Sequence, residues 1–183
     1  MTTNPAQPAG IDSERTVESV MKRVSRAQRL FELSSLRFID CRASYDRTPD
    51  GEEHSLRIGI ADQEVELDEN VLSIRMRFEF RGPSPFEEEQ DRLVDVTATV
   101  RVEYVRPEDR GDIDRSEADV FARVNGIYNA WPYLREFVQT SLVRLSLPPF
   151  ELPLLRPGAA AQLAGLVDPP PDPDDEEPPR GES

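Results

Sequence analysis

Apolar and polar residues alternate strictly in two segments in the middle of the chain, residues 72–80 and 94–104. A period of two is typical of a β-strand with one buried face and one solvated face. Weaker alternation over residues 36–46 and 56–67 predicts two further strands. Gly59 and the Ala61-Asp62 pair are expected to bend the second of these.

Turn-forming residues separate the strand segments, at residues 46–53, 68–70 and 82–91. Short connections favour antiparallel neighbours. The sequence therefore predicts an α+β fold in which four antiparallel strands form a meander. The polar side chains are expected to pair with one another on the solvated face, and helices must cover the apolar face.

A period of three to four marks an N-terminal amphipathic helix, capped by Asp12 or Ser13 and ending near Phe31. We expect this helix to cover the sheet. After the strands, a helix capped by Ser116 is expected to break at Asn125-Gly126.

A long helix is predicted to follow from Asn129, with Pro132 in its first turn. This helix is apolar over more than one stripe, which is typical of burial on two sides. We therefore expect a neighbouring subunit against it. Its residues assigned to the core or to an oligomer interface are Tyr133, Leu134, Phe137, Val138 and Leu142.

An apolar segment rich in proline, residues 145–155, follows the long helix. Proline lacks a backbone donor and restricts the residue before it, so this segment cannot continue the helix. Its apolar side chains therefore lie on an irregular connector, which we interpret as an interaction surface. A short helix is predicted after Pro157-Gly158.

The formal net charge is −14, and seven of the acidic residues lie in the proline-rich residues 168–183. We expect residues 1–11 and 168–183 to be disordered and residues 12–167 to form one domain. An acidic chain is repelled by phosphate backbones, which argues against nucleic-acid binding. One cysteine, no basic and apolar leader and no long apolar run indicate a cytoplasmic protein that does not insert into the membrane.

Candidate catalytic residues are few. His54 is the only histidine and adjoins a turn, and the single cysteine, Cys41, is expected to be a small buried side chain. Asp40 and Asp95 both lie on predicted strands and are candidates for an acid–base pair, which no other feature of the sequence supports. No nucleophile, nucleotide or metal motif is present, so we expect neither catalysis nor a cofactor.

Two motifs stand out in the long helix and its connector, Ala130-Trp131-Pro132-Tyr133-Leu134-Arg135-Glu136 and Leu145-Ser146-Leu147-Pro148-Pro149. With them, the chain resembles the SecB family of protein-export chaperones. The short spacing between these motifs resembles the SecB-like chaperones of actinobacteria, some of which partner a toxin–antitoxin pair. The similarity extends over residues 35–166, and the two termini lie outside it.

The resemblance implies an ATP-independent holdase that assembles as a dimer of dimers and binds unfolded polypeptides in hydrophobic grooves. The SecA motor and an antitoxin are further partners that it makes possible. The positions that it assigns to client binding are Leu56, Ile58, Ile60, Leu147, Pro148, Pro149, Phe150, Leu152, Leu154 and Leu155.

Three other interpretations are compatible with the sequence. The connector can simply cover the apolar face of the sheet in its own chain. The protein can be a dedicated adaptor for one partner, or a small-ligand-binding or thioesterase-like α+β domain. The last of these requires convergent polar groups in the groove, and the sequence offers none.

Overall fold

The computed structural model describes residues 9–47, 55–89 and 91–168. It contains one sheet covered on one face by helices. The elements in chain order are α1 (Ala9–Ala27), β1 (Glu32–Arg47), β2 (Arg57–Asp68), β3 (Val71–Pro83), a short 3₁₀ turn (Glu87–Glu89), β4 (Arg92–Val105), α2 (Arg115–Arg144) and α3 (Pro157–Leu163).

The four predicted strands are confirmed and all neighbours are antiparallel, but the sheet order is β1-β4-β3-β2. The predicted meander is therefore wrong for β1, which pairs with β4 at the opposite edge from β2. β2, β3 and β4 are consecutive antiparallel neighbours, and β1 lies beside β4. This arrangement is a Greek-key order. The turn residues after β1 are compatible with a hairpin to a neighbouring strand and with a connection that crosses to the other edge of the sheet. Composition therefore did not distinguish these two connections.

The core lies between the helices and the inner faces of β3 and β4, where side chains such as Ile74, Phe78 and Val100 are fully buried. β2 and β1 are the edge strands, and their inner faces are only partly covered. A register shift between Ile60 and Asp62 confirms the predicted bend in β2.

α2 is one continuous helix across the predicted break at Asn125-Gly126, so that Pro132 lies in its interior and not in a first turn. Gly126 is buried against the sheet, and a Cβ at this position would stand 2.7 Å from Ile74 Cγ2. The glycine therefore permits a close approach of helix and sheet instead of ending the helix. Pro132 lies on the exposed side, where water can reach the Tyr128 carbonyl that it leaves without a helical partner.

α2 begins earlier than predicted. Asp114, not Ser116, is the N-cap, and its carboxylate accepts a hydrogen bond from the Ser116 backbone N–H at 2.8 Å. This contact satisfies one of the free N–H groups of the first turn.

α1 begins at Ala9, before the predicted cap, and its stripe Val20, Val24 and Ala27 is buried as expected. The helix packs against α2 and α3, so the expectation that it covers the sheet is wrong. Phe31, just beyond α1, stacks on Phe121 of α2 with ring centroids 5.4 Å apart. Because α2 occupies the inner face of the sheet, α1 packs on the helices and not on the strands.

The outer face of the sheet carries the cross-strand ion pairs that the alternation predicted. Arg75 contacts Glu64 at 2.6 Å, and Arg37 contacts Glu103 at 3.0 Å. The Ser35 hydroxyl, followed by the charges of Arg37 and Arg101, lowers the pKa of Glu103. These solvated pairs account for the arginines of this face without a ligand.

Candidate functional site

α2 ends in a Schellman motif that directs the chain into the connector, residues 145–155. The Leu147 N–H donates to the Leu142 carbonyl at 2.9 Å, and the Ser146 N–H donates to the Val143 carbonyl at 3.0 Å. Ser146 has φ +60°, a left-handed conformation that such motifs usually give to glycine. Leu142 and Leu147 are both buried, as the motif's hydrophobic contact requires.

Two residues of α2 then fasten the connector through its backbone. Trp131 Nε1 donates to the Pro153 carbonyl at 2.8 Å, and Arg135 Nε donates to the Leu152 carbonyl at 2.7 Å. Residues four apart lie on the same face of a helix, so both donors point to the same side. These two residues belong to the motif that carried the resemblance, and their spacing places both donors against the connector.

An apolar groove of about 240 Å³, the upper groove, opens where β2, β3 and β4 meet the end of α2. Phe150 of the connector covers it, with its ring centroid 5.3 Å from that of Phe80. Gly82 leaves space for Leu56, whose Cδ1 lies 3.0 Å from where a Cβ would stand. The side chains that line the groove are chiefly Leu56, Phe80, Val94, Leu142, Leu147 and Phe150.

A hydrogen-bonded loop lies beside the upper groove and contributes Ser84 to its lining. The Tyr45 hydroxyl lies 2.6 Å from Ser84 Oγ and donates to Glu89 Oε2 at 2.5 Å. Burial, and then the bond to Glu89, raises the pKa of Tyr45. The Phe86 N–H also donates to Ser84 Oγ. This network holds the β3–β4 loop in place beside the groove.

A second apolar depression of about 380 Å³, the lower groove, lies on the other side of the two backbone contacts. It is formed between β2, α2, the connector and α3. Its lining includes Ile58, Trp131, Leu154, Leu155, Ala159 and Leu163. The fastened backbone at Leu152 and Pro153 therefore separates two apolar openings along one connector.

The residues that the resemblance assigned to client binding divide into three groups. Leu56, Leu147, Pro148 and Phe150 line the upper groove, and Ile58, Leu154 and Leu155 line the lower groove. Leu152 is 1% exposed and belongs to the core, Ile60 packs partly buried against that core, and Pro149 is exposed.

Sequence reasoning missed most of the walls of both grooves. Phe80 and Val94 were assigned only to the inner face of the sheet, and Trp131 was seen only as part of a motif. No local signal reveals that the ends of β3 and β4 lie beneath the connector, because that contact depends on the strand order.

The residues assigned to the core or an oligomer interface also divide. Leu134, Val138 and Leu142 are buried, whereas Tyr133 is 51% exposed. Phe137 lies partly buried against Phe38 of β1, with ring centroids 5.6 Å apart. Further large apolar side chains of the same strand and helix are exposed, namely Leu33 and Ile39 on β1 and Tyr128 and Val143 on α2. We call this surface of β1 and α2 the β1 face.

The candidate catalytic residues do not form a site. Asp40 lies opposite Thr99 on β4, four positions from Asp95 and therefore about 14 Å away from it. Cys41 shares the inner face, as expected, but it is exposed because α2 does not cover the edge strand. Partial desolvation, and then the charge of Asp40, raises the pKa of its thiol, which disfavours the reactive thiolate. His54 lies outside the described residues.

Within residues 9–47, 55–89 and 91–168, no three candidate ligands among histidine, cysteine, aspartate and glutamate gather at one point. The same residues include no helix that is long and apolar enough to cross a membrane. Residues 1–8 and 169–183, which hold most of the predicted disordered termini, lie outside the description.

No protein-family model and no curated protein sequence matches this chain. Among solved structures, the chain is similar to the Mycobacterium tuberculosis Rv1957 SecB-like chaperone, in complex with a ChAD peptide from the Rv1956 HigA1 antitoxin. The TM-score is 0.61 at 19% identity, over 76% of this chain and 98% of that one. The chain thus has the fold of a SecB-like chaperone. A Streptococcus agalactiae protein of unknown function matches with a TM-score of 0.39 at 12% identity, over 67% of this chain and 96% of that one.

Proposed function

We propose that this protein is an ATP-independent holdase, not an enzyme, which binds unfolded or nascent polypeptides in the upper and lower grooves. The observation that carries the proposal is the connector. It is fastened to α2 by two backbone hydrogen bonds, yet it leaves Phe150 36% and Leu154 78% exposed beside apolar grooves. Large exposed apolar surfaces on a folded protein mark sites of interaction.

The lining of the upper groove favours a polypeptide over a small polar ligand. Its walls carry no charged side chain, and Ser84 is its one hydroxyl. Small-ligand sites usually add a few convergent polar groups that fix the ligand's orientation. A groove without them accepts apolar side chains of varied sequence.

The energetics suit weak and sequence-tolerant binding. Burying about 1,000 Å² of client apolar surface yields a gross gain on the order of 25 kcal/mol. Ordering an unfolded chain removes most of that gain. Two grooves on each chain, repeated in an assembly, then add avidity without any strong single contact.

A homo-oligomer, built as a dimer of dimers, is part of the proposal. The β1 face presents Phe38, Ile39 and Val143 to solvent beside a sixteen-residue edge strand. An exposed edge strand with apolar side chains is a template for pairing with another chain. We expect Ile39→Asp to lower the assembly mass measured by light scattering while the circular dichroism spectrum is retained. An unchanged mass would place the interface elsewhere.

The clients serve either export or the control of a toxin–antitoxin pair, with a cytoplasmic location in both cases. The SecA motor is the proposed partner in the first case and an antitoxin in the second. A dedicated single-partner adaptor is the alternative function, and one observation favours it. The similar chaperone is seen with a peptide from an antitoxin.

The experiment is suppression of aggregation of unfolded model proteins without nucleotide, over a range of chaperone-to-client ratios. We expect protection near one assembly per client for several unrelated clients. Leu154→Asp and Phe150→Asp should each weaken it, because a carboxylate in an apolar groove loses its hydration. Val71→Asp is the matched control, since Val71 is an exposed apolar residue outside both grooves.

Protection of a single client and of no others would support the dedicated adaptor. No protection at any ratio by a folded sample would contradict both the holdase and its grooves. Full protection by folded Leu154→Asp and Phe150→Asp variants would keep the holdase but exclude the connector as its site.

A further inference from the structure

The exposed side of α1 and the turn that follows it carry a basic stripe on an otherwise acidic protein. Lys22, Arg26 and Arg29 recur at helical spacing, and all three are exposed. They lie along a shallow depression of about 440 Å³, lined also by Glu18, Met21 and Ser25. The whole chain has a net charge of −14, so this stripe is a local reversal of sign.

The stripe's internal contacts do not neutralise it. Lys22 pairs with Glu18 and Arg26 pairs with Glu117, both at 2.6 Å. The neighbouring Arg23 donates to the Ser116 hydroxyl, which is a neutral acceptor. The charge of Arg23 also acts on the nearby Asp114 carboxylate and helps to lower its pKa. Four cations, with Arg29, therefore face the three carboxylates of Glu18, Glu117 and Asp114, which leaves an excess of one positive charge among these seven groups.

We propose that the acidic segment, residues 169–183, docks on the basic stripe of α1 in its own chain. The segment holds six acidic residues and one arginine, and apart from its prolines it has no apolar side chain. It is therefore a poor occupant for the apolar grooves. Its complement in charge is the stripe Lys22, Arg26 and Arg29. The proposal does not rest on chaperone activity.

The acidic segment starts close enough to reach the stripe. It begins two residues after Val167, which is buried in the same core as Val20 and Val24 of α1. α3, just before it, packs on α1. Fifteen residues in an extended, proline-rich conformation span about 45 Å. A domain of this size is about 40 Å across, so every point of the stripe is accessible.

Docking of this kind is electrostatic and reversible. Exposed charges attract one another over about 10 Å at moderate ionic strength, and added salt screens that attraction. Several weak pairs become significant because the tether keeps the acidic segment at a high effective concentration. A more acidic external partner would compete with the segment for the same stripe.

The test uses a fluorescent peptide of residues 168–183 added to the full chain. In one form of the chain, the tail-neutral variant, the acids of the segment are changed to amides. The changes are Asp172→Asn, Asp174→Asn, Asp175→Asn, Glu176→Gln, Glu177→Gln and Glu182→Gln. We expect the peptide to bind the tail-neutral variant about tenfold more tightly than the unmodified chain, whose own segment competes. Raising the salt from about 50 mM to about 300 mM should remove most of the binding.

A charge-reversal variant identifies the docking surface. In the tail-neutral background, Lys22→Glu, Arg26→Glu and Arg29→Glu together should weaken peptide binding at least about tenfold. The control reverses three exposed arginines of the sheet, Arg42, Arg57 and Arg77, with the same change in net charge, and should retain more of the binding. Circular dichroism verifies that both variants fold. Equal binding by the unmodified and tail-neutral chains, or equal losses in the two reversal variants, would overturn the proposal.

Discussion

The connector contains two kinds of apolar residue that sequence alone treats alike. Leu147 and Leu152 are 5% and 1% exposed and belong to the core. Phe150 and Leu154 lie only two or three positions away and remain exposed. The first pair holds the connector in place, and the second pair is held out beside the two grooves.

The difference shows how a folded protein keeps apolar surface available. Three prolines prevent the connector from forming regular secondary structure. Trp131 and Arg135 instead fix its backbone at Pro153 and Leu152. The buried leucines and the backbone hydrogen bonds together anchor the connector, so Phe150 and Leu154 are not part of the anchor. They are then free to contact another polypeptide.

Leu152→Ala should produce the largest change in stability. Removing a fully buried leucine side chain leaves a cavity and should lower the free energy of unfolding by about 2–5 kcal/mol. Urea unfolding followed by circular dichroism measures the loss.

Leu154→Ala is the matched control for that measurement, with the same change in chemistry two residues along the connector. Its effect should stay within about 0.5 kcal/mol, as for other exposed positions. Similar losses in the two variants would contradict the division of the connector into anchoring and exposed residues.

Arg135→Ala should have an intermediate effect. The guanidinium hydrogen bond to the Leu152 carbonyl is lost, and a bond of this class is worth about 1.5–3 kcal/mol. Trp131 is the only tryptophan, so its emission reports on the connector beside it and should shift toward longer wavelength.

Glu136→Ala, at an exposed neighbouring position of α2, should change neither the stability nor the emission. An Arg135→Ala variant that is indistinguishable from Glu136→Ala would mean that the connector is held by Leu147 and Leu152 alone.

Ser146→Gly should have a small stabilising effect. Ser146 has φ +60°, and glycine adopts this conformation without the steric penalty of a side chain. The left-handed conformation costs a residue with a side chain about 1–2 kcal/mol, and the greater chain entropy of unfolded glycine offsets about 0.5–1 kcal/mol of this gain. Thermal or urea unfolding measures the net increase in stability. The converse change, Gly165→Ser at φ +68° in the equivalent position after α3, should lose a similar amount. A loss on Ser146→Gly would show that the serine side chain has a structural role of its own.

The elements of this fold were predictable, and their arrangement was only partly so. Alternation identified all four strands, because one buried face imposes a period of two on each. The position of β1 beside β4 was not predictable, because apolar alternation specifies a face and not a neighbour. Gly126 and Pro132 were misread for a related reason. Helix propensity depends on local sequence. The close approach of Gly126 to Ile74 and the solvent exposure of Pro132 depend on tertiary structure instead.

The candidate site followed the same division. The apolar connector was evident from composition, and most of its predicted residues line one of the two grooves. Leu152 was predicted to contact clients but is buried. In an irregular segment, buried and exposed positions do not recur with a fixed period, so the sequence did not distinguish them. Cys41 was predicted to be buried but is exposed. Its exposure depends on the position of β1 at the edge of the sheet, which apolar alternation does not reveal.

The most direct test of the central claim is site-specific photo-crosslinking to an unfolded client. A photoreactive amino acid replaces Leu154 in one variant and the exposed Val71, outside both grooves, in another. If the grooves bind unfolded polypeptide, position 154 should crosslink to the client and position 71 should not, and excess unlabelled client should suppress the product. Crosslinking at position 71 that equals or exceeds that at position 154 would contradict the assignment of the connector as the binding surface.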